Sequence, residues 1–173
     1  MRRFYILTFR NVDGLQNVSD YETGDLSPTV FWGTTPFPGP IPECVKVLVE
    51  EGEPSDYLAN SIGWEIVSER CLGHIKKLAV KDIQAISLPL YDDKTQRPLR
   101  GFYVVNVLRC IDALDKPMET VTTAVLKDAR IPADTHLFRV PNHPTLVFVS
   151  QTMYDELHTE DLKGFAYIKT TTV

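Results

Sequence analysis

Few residues in this chain have the types and spacing that catalysis requires, and Cys71 and His74 come nearest. Their i, i+3 spacing would place a thiol and an imidazole on neighbouring turns of a helix, where the imidazole could activate the thiol as a nucleophile. A plainer interpretation is favoured, in which Cys71 packs inward and His74 lies on a flank. Asp112 and Asp115 could bind a hard cation, but such a cation needs more oxygen ligands than two carboxylates provide. We interpret this pair as turn residues and predict no catalytic and no metal-binding residue.

Motifs that bind nucleotides or build hydrolase active sites are absent from the sequence. It contains no glycine-rich phosphate loop and no Gly-x-Ser-x-Gly elbow. The four histidines lack the spacing of metal ligands. They are His74, His136, His143 and His158. We therefore predict that the protein carries no cofactor.

The elements that position these residues are organised around the apolar run near residues 102–111. Both alternating faces of this run are apolar, which predicts a strand covered on both sides at the centre of a sheet. Asn106 and Arg109 interrupt the run, and buried polar groups need partners. Arg109, near the strand end, either reaches solvent or pairs with a carboxylate such as Asp112. We interpret Asn106 and Arg109 as structural polar groups rather than ligand contacts.

Strands outnumber helices in the remaining pattern and do not alternate with them as βαβ units. This predicts an α+β fold with a mostly antiparallel or mixed sheet. Two helices are predicted, near 68–78 and 151–158, with Ser68 and Ser150 as N-caps. Further strands are predicted at 4–10, 44–49, 83–88, 121–126, 137–140, 145–149 and 165–170.

The chain of 173 residues predicts one domain, 1–173, with an irregular Pro-rich arm at residues 11–42. The arm holds five prolines and shows neither helical nor strand periodicity. Phe31, Trp32 and Phe37 lie among these prolines. They either pack onto the body of the domain or anchor a partner, as aromatic residues on loops often do.

The charge balance is mildly acidic, with a formal net charge of -5. Nucleic acids and anionic membranes reward clustered Lys and Arg, so we expect neither as a ligand. Acidic runs are either solvated faces or a surface complementary to a basic partner. The sequence has three such runs: first Glu50, Glu51, Glu53 and Asp56, second Asp92 and Asp93, and third Asp155, Glu156, Glu160 and Asp161. The partner-binding residues predicted from the aromatic arm and the first two acidic runs are Phe31, Trp32, Phe37, Glu50, Glu51, Glu53, Asp56, Asp92 and Asp93.

The three cysteines do not form a disulfide framework by number or spacing. The first residues do not resemble a secretory signal, and no apolar run is long enough to span a bilayer. We expect a cytoplasmic protein. The sequence is compatible with a homo-oligomer.

Three stretches of the chain match one family pattern in order and spacing. They are residues 56–70, residues 103–115, and the segments 137–140, 147–150 and 162–165. The pieces Asn-Val-Leu and Asp-Ala-Leu-Asp of the second stretch are the most specific. Together the stretches resemble a family of bacterial immunity proteins from polymorphic-toxin systems, formerly a domain of unknown function. The resemblance covers roughly the C-terminal two-thirds of the chain, and the arm at 11–42 departs from the pattern.

This resemblance implies a non-enzymatic protein that binds a cognate toxin and so protects the producing cell or its kin in interbacterial competition. It places no catalytic residue on the sequence, because the family pattern consists of scaffold residues. We expect stoichiometric occlusion of a toxin that acts in the cytosol, and a basic nuclease-type domain would fit the acidic balance. Two alternatives remain. One is an adaptor or chaperone for a secreted effector, and the other is a small hydrolase that uses Cys71 and His74 or an acidic pair.

Overall fold

The computed structural model describes residues 1–10, 12–159 and 161–173, so Asn11 of the arm and Glu160 of the third acidic run lie outside the described residues. Two helices in the described part are α1 (Glu69–Ala79) and α2 (Gln151–Thr159). The strands are β1 (Phe4–Phe9), β2 (Val18–Glu22), β3 (Lys46–Val49), β4 (Ile66–Ser68), β5 (Ile83–Ser87), β6 (Leu90–Asp92), β7 (Pro98–Leu99), β8 (Phe102–Val107), β9 (Val125–Leu126), β10 (Leu137–Val140), β11 (His143–Ser150), β12 (Phe165–Lys169) and β13 (Thr171–Thr172). They form antiparallel and mixed sheets, and the predicted α+β class is confirmed.

The predicted central strand is confirmed as β8, the middle strand of the sheet β4-β8-β5. Its two faces pack into different hydrophobic cores. Val104 packs among apolar side chains on one side, while Val105 and Val107 pack against the helices on the other. The strand ends before the predicted position 111, because the backbone N–H groups of Leu108 and Arg109 both donate to Asp82 O, at 2.8 and 3.3 Å. The ladder with β5 therefore stops at Val107.

A second sheet has the order β10-β11-β1-β12 and is antiparallel throughout. Helix α2 follows β11 without a linker, and Ser150 Oγ accepts a hydrogen bond from Met153 N at 3.2 Å. Helix α1 likewise follows β4, with Ser68 Oγ accepting from Cys71 N at 3.1 Å. Both predicted caps are confirmed. The two helices cover the core between this sheet and β8.

A third sheet, β2-β3-β6-β7, contains the parallel pair β3 and β6, and β9 and β13 form a parallel pair of their own. The strand predicted over 121–126 is wrong for its first half. Residues Val121–Thr123 form a 3-10 turn, and only Val125–Leu126 are a strand. The reason is local, since Thr123 Oγ1 accepts from Thr120 N at 3.1 Å and closes a turn instead of leaving that N–H for a ladder.

The arm at 11–42 is more regular than predicted. It contains β2, which pairs with β3, and a 3-10 turn over Pro28–Phe31. The prediction of an arm without strand structure is wrong for Val18–Glu22. Only Val18 and Tyr21 of this strand are half-buried, and the other three residues are exposed, so the strand lacks the alternation that reveals strands in a sequence.

Two amide side chains of the three-stranded sheet hold the Pro-rich part of the arm. Gln84 Oε1 accepts from Phe37 N at 2.7 Å, and Gln84 Nε2 donates to Phe37 O at 2.8 Å. Asn106, fully buried in β8, donates from Nδ2 to Thr35 O at 3.1 Å. The Nδ2 group of Asn106 thus serves the fold, as interpreted from the sequence, whereas its Oδ1 is buried without a hydrogen-bond partner among the described residues. Neither described helix has the length and apolar character that a membrane span requires.

Candidate partner-binding surface

The parallel pairing of β3 and β6 brings the first two acidic runs together. Val49 lies opposite Asp92, and Asp93 N donates to Val49 O at 3.0 Å. Because both strands end at this point, Glu50 and Glu51 follow one strand beside Asp92 and Asp93 at the end of the other. We call these four carboxylates the acidic edge.

Three carboxylates of the acidic edge form hydrogen bonds or an ion pair within the chain. Asp92 Oδ1 accepts from Thr95 N at 2.7 Å, from Thr95 Oγ1 at 2.7 Å and from Lys94 N at 3.2 Å, which closes the β6–β7 turn. These bonds, led by that from the Thr95 backbone, lower the pKa of Asp92. Lys94 Nζ lies 2.8 Å from Glu51 Oε2, and Asn17 Nδ2 donates to Glu50 Oε1 at 3.1 Å. The edge keeps its excess of negative charge, with four carboxylates and one paired lysine.

Asp56 and Glu53 do not belong to the acidic edge. The side chain of Asp56 is buried and accepts from Ser68 Oγ at 2.6 Å, Arg70 Nη2 at 2.8 Å and Lys163 N at 3.0 Å. It ties three segments of the chain together. Glu53 forms a close ion pair with Lys163. In this conformation the Asp56 carboxylate is therefore engaged inside the domain and is not presented to a partner.

The aromatic residues of the arm pack onto the body of the domain. Phe31 is buried and meets Phe37 and Trp64 edge to face, with ring centroids 5.2 and 4.9 Å apart. Trp32 is half-buried against Gly63, and Phe37 is also half-buried. Phe31 cannot contact a partner in this conformation, whereas Trp32 and Phe37 each keep an exposed part.

The thiol–imidazole pair considered from the sequence is not poised for catalysis. Cys71 is fully buried in the core beside α2, and burial raises the pKa of its thiol far above neutral pH. His74 Nδ1 lies 2.7 Å from Glu156 Oε1, across the contact between α1 and α2. The structure thus gives Cys71 a packing role and directs His74 towards a carboxylate.

The two turn aspartates are each paired with a cation. Asp115 Oδ1 lies 2.8 Å from Lys127 Nζ, and Asp112 Oδ2 lies 3.5 Å from Arg130 Nη1. Arg109 pairs with a carboxylate, which is one of the two outcomes expected from the sequence, and its partner is Asp82 at 3.4 Å rather than Asp112. Among the residues that the structure describes, no group of three His, Cys, Asp or Glu side chains is placed to hold a metal ion.

Sequence reasoning missed a groove between α2, β12 and the segment after β1. This aromatic groove has a volume of about 540 Å³. Its rings are Tyr154 and His158 from α2 and Phe165 and Tyr167 from β12. The signal was present in two local spacings, i, i+4 on the helix and i, i+2 on the strand, which place each pair on one face. No pattern within either segment, however, shows that this face of α2 and this face of β12 come together in the fold.

Residues 19–172 match the model of the immunity protein family (Imm11), and the chain belongs to this family. The match confirms the resemblance seen in the sequence and extends it over most of the arm. Membership implies a role in immunity to a toxin. No curated protein matches the chain.

Proposed function

We propose that this protein confers immunity by binding a cognate toxin of a polymorphic-toxin system in a stoichiometric complex that covers the toxin's active surface. The match of residues 19–172 to an immunity family carries the proposal. The buried thiol of Cys71 favours binding over an enzymatic repair of the damage. In this proposal residues 1–173 act as one immunity domain in the cytoplasm of the producing cell.

The acidic edge supports a basic toxin domain as the partner, such as a nuclease-type domain. It presents four carboxylates with one paired lysine, in a chain of net charge -5. A surface of one charge speeds the encounter with an oppositely charged partner and disfavours wrong pairings. Trp32 and Phe37, which each keep an exposed part, are further candidates for direct contact with the toxin.

Co-expression in bacteria tests the proposal. A toxin domain encoded next to this protein is placed under inducible control, with and without the protein, and the complex is recovered through a tag. Rescue of growth with a one-to-one complex is expected. Rescue without a complex would favour an enzyme that undoes the damage, and a complex without rescue would favour an adaptor or chaperone for a secreted effector.

A matched pair of charge reversals tests the acidic edge. Glu51 and Asp112 have similarly exposed side chains, at 74% and 80%, and each has one cationic neighbour. We expect Glu51→Lys to slow association with the toxin roughly threefold to tenfold at low salt, because electrostatic steering acts on the association rate. Asp112→Lys makes the same charge change away from the edge. Equal effects of the two variants would remove the acidic edge from the interface.

A further inference from the structure

A cavity lies where strands β1 and β11 separate. Their pairing ends at Leu7 opposite Val147, although β1 continues to Phe9 and β11 begins at His143. The cavity has a volume of about 170 Å³, and it is lined by residues of both strands, of β12 and of the segment 63–65. We call it the strand-gap cavity.

The exposed part of the cavity lining carries no charge. It consists of Phe9, Val121 and Thr145, and the side chains of Phe9 and Val121 belong to the few large apolar side chains that are exposed, at 37% and 38%. Among the described residues that line the cavity, Glu65 is the only one with a charged side chain. A ligand would therefore gain free energy by burying an apolar body here.

A buried carboxylate with one unused oxygen lies in the wall of this cavity. Glu65 is only 8% exposed, and the Tyr57 hydroxyl donates a close hydrogen bond to its Oε2. Its Oε1 accepts no hydrogen bond within the described part of the chain, but it is not among the buried atoms that are sealed from solvent. Buried acceptors normally have a donor, so this oxygen indicates a ligand that supplies one.

The charge of Glu65 is already balanced, and this balance decides which kind of donor fits. Arg139 Nη2 lies 3.9 Å from Glu65 Oε1, and the Arg139 side chain is only 2% exposed. A second cation would leave an uncompensated positive charge in a buried site, which is costly. An amide would bring an additional polar group that needs its own partner. A ring with a single hydroxyl meets both conditions, because its body is apolar and its donor is neutral.

We propose that the strand-gap cavity receives a tyrosine side chain of the toxin, an inference that rests on the proposed function. The ring fills the apolar part of the cavity, and the phenol hydroxyl donates to Glu65 Oε1. Tyrosine is enriched among the residues that dominate binding at protein interfaces, where it occupies pockets that exclude water. A purely apolar side chain would leave Oε1 without a donor, and a lysine would compete with Arg139 for the same carboxylate.

The cavity can be tested without the toxin. The probes are p-cresol, which is the side chain of tyrosine, toluene, which lacks the hydroxyl, and benzylamine, which carries a charge. Each is titrated into the full chain while the NMR signals of Phe9 and Val121 are followed. Burial raises the pKa of Glu65, so a pH of about 8 is used to favour its carboxylate form.

Toluene leaves water more readily than p-cresol, so it should bind more tightly unless the hydroxyl finds an acceptor. We expect p-cresol to bind at least about fivefold more tightly than toluene, because a hydrogen bond to a carboxylate outweighs this difference. Benzylamine should bind more weakly than p-cresol. Toluene or benzylamine binding as tightly as p-cresol, or unchanged signals with every probe, would overturn the proposal.

The complex with the toxin provides the second test. Val121→Lys places a charged side chain on the exposed lining of the cavity, and Val80→Lys makes the same change at the end of α1, outside the cavity. We expect Val121→Lys to weaken the complex roughly tenfold or more, because the anchoring side chain is displaced, and Val80→Lys to leave affinity unchanged. Thermal unfolding checks that both variants fold. Equal affinities of the two variants would refute the tyrosine inference alone. Failure of the unmodified protein to form any complex would instead refute the proposed function.

Discussion

Replacement of Asp56 by asparagine should destabilise the domain more than replacement of its cationic partner. The Asp56 carboxylate joins the 53–57 segment to the start of α1 through Ser68 and Arg70, and to the loop before β12 through Lys163 N. Asparagine keeps the shape but turns one acceptor oxygen into an N–H donor. Whichever way the amide is oriented, a donor then faces another donor.

The magnitude follows from the exposure of each partner. The Arg70 side chain is 56% exposed, so its ion pair with Asp56 contributes less than about 1 kcal/mol. The bonds from Ser68 and Lys163 N are made to a carboxylate only 12% exposed, and each contributes about 1–2 kcal/mol. We therefore expect Asp56→Asn to lower the free energy of unfolding by about 2–4 kcal/mol, and Arg70→Gln by less than about 1 kcal/mol.

The same carboxylate gives stability a defined pH dependence. Burial raises the pKa of Asp56, but the hydrogen bonds from Arg70, Ser68 and Lys163 outweigh burial, and its pKa lies below the ordinary value of 3.8. A group whose folded pKa is lowered stabilises the protein above its unfolded pKa, and this contribution is lost as the pH falls through the folded pKa. The stability gap between wild type and Asp56→Asn should therefore be full above about pH 5 and shrink below pH 3.8.

The difference in unfolding free energy is measured by urea titration, with unfolding monitored through the fluorescence of Trp32 and Trp64. Wild type, Asp56→Asn and Arg70→Gln are compared at neutral pH and at several acidic values. Equal losses in the two variants would show that the ion pair, not the buried hydrogen bonds, stabilises this junction. A gap that stays constant down to pH 2 would contradict the lowered pKa.

Two further predictions concern glycines and thiols. Gly164→Ala should cost more than about 2 kcal/mol, because Gly164 has φ 95° and a Cβ there would lie 2.2 Å from a backbone oxygen. Gly73→Ala, inside α1 with open space at its Cβ, should stabilise by about 0.5–1 kcal/mol, and urea titrations compare the two variants. A thiol reagent should label Cys44 and Cys110 in the folded protein and Cys71 only after unfolding, since the first two are exposed and burial raises the pKa of the third. Counting labelled thiols before and after denaturation checks this. A stable Gly164→Ala variant, or three thiols labelled at one rate, would contradict the packing described.

The sequence predicts best those features that are coded locally. Ser68 and Ser150 precede helical spacings and cap the two helices as expected. The strand β8 is recognisable because both its faces are apolar, and the structure buries them in two different cores. In each case the residues that determine the element lie within it.

Features that depend on distant pairing were missed. Strand β2 is recognisable only through its partner β3, because its own exposed residues outnumber its half-buried ones. Arg139 is almost fully buried in β10 and faces Glu65 at 3.9 Å, a partner far away in the chain. The aromatic groove exists because β1 pairs with β12, where Phe9 lies opposite Phe165, and brings the segment after β1 to the helix α2.

The position of β1 has a consequence for how the protein is made. This strand, among the first residues of the chain, pairs on one edge with β11 and on the other with β12. At about 5–20 residues per second, a ribosome takes roughly 7 to 30 seconds to reach those partners, and both edges of β1 remain unpaired until then. Ribosome-bound chains stopped before β11 should be digested readily by protease, and chains that extend past β12 should resist. Protection from a toxin made at the same time would then begin only when the last strands are complete.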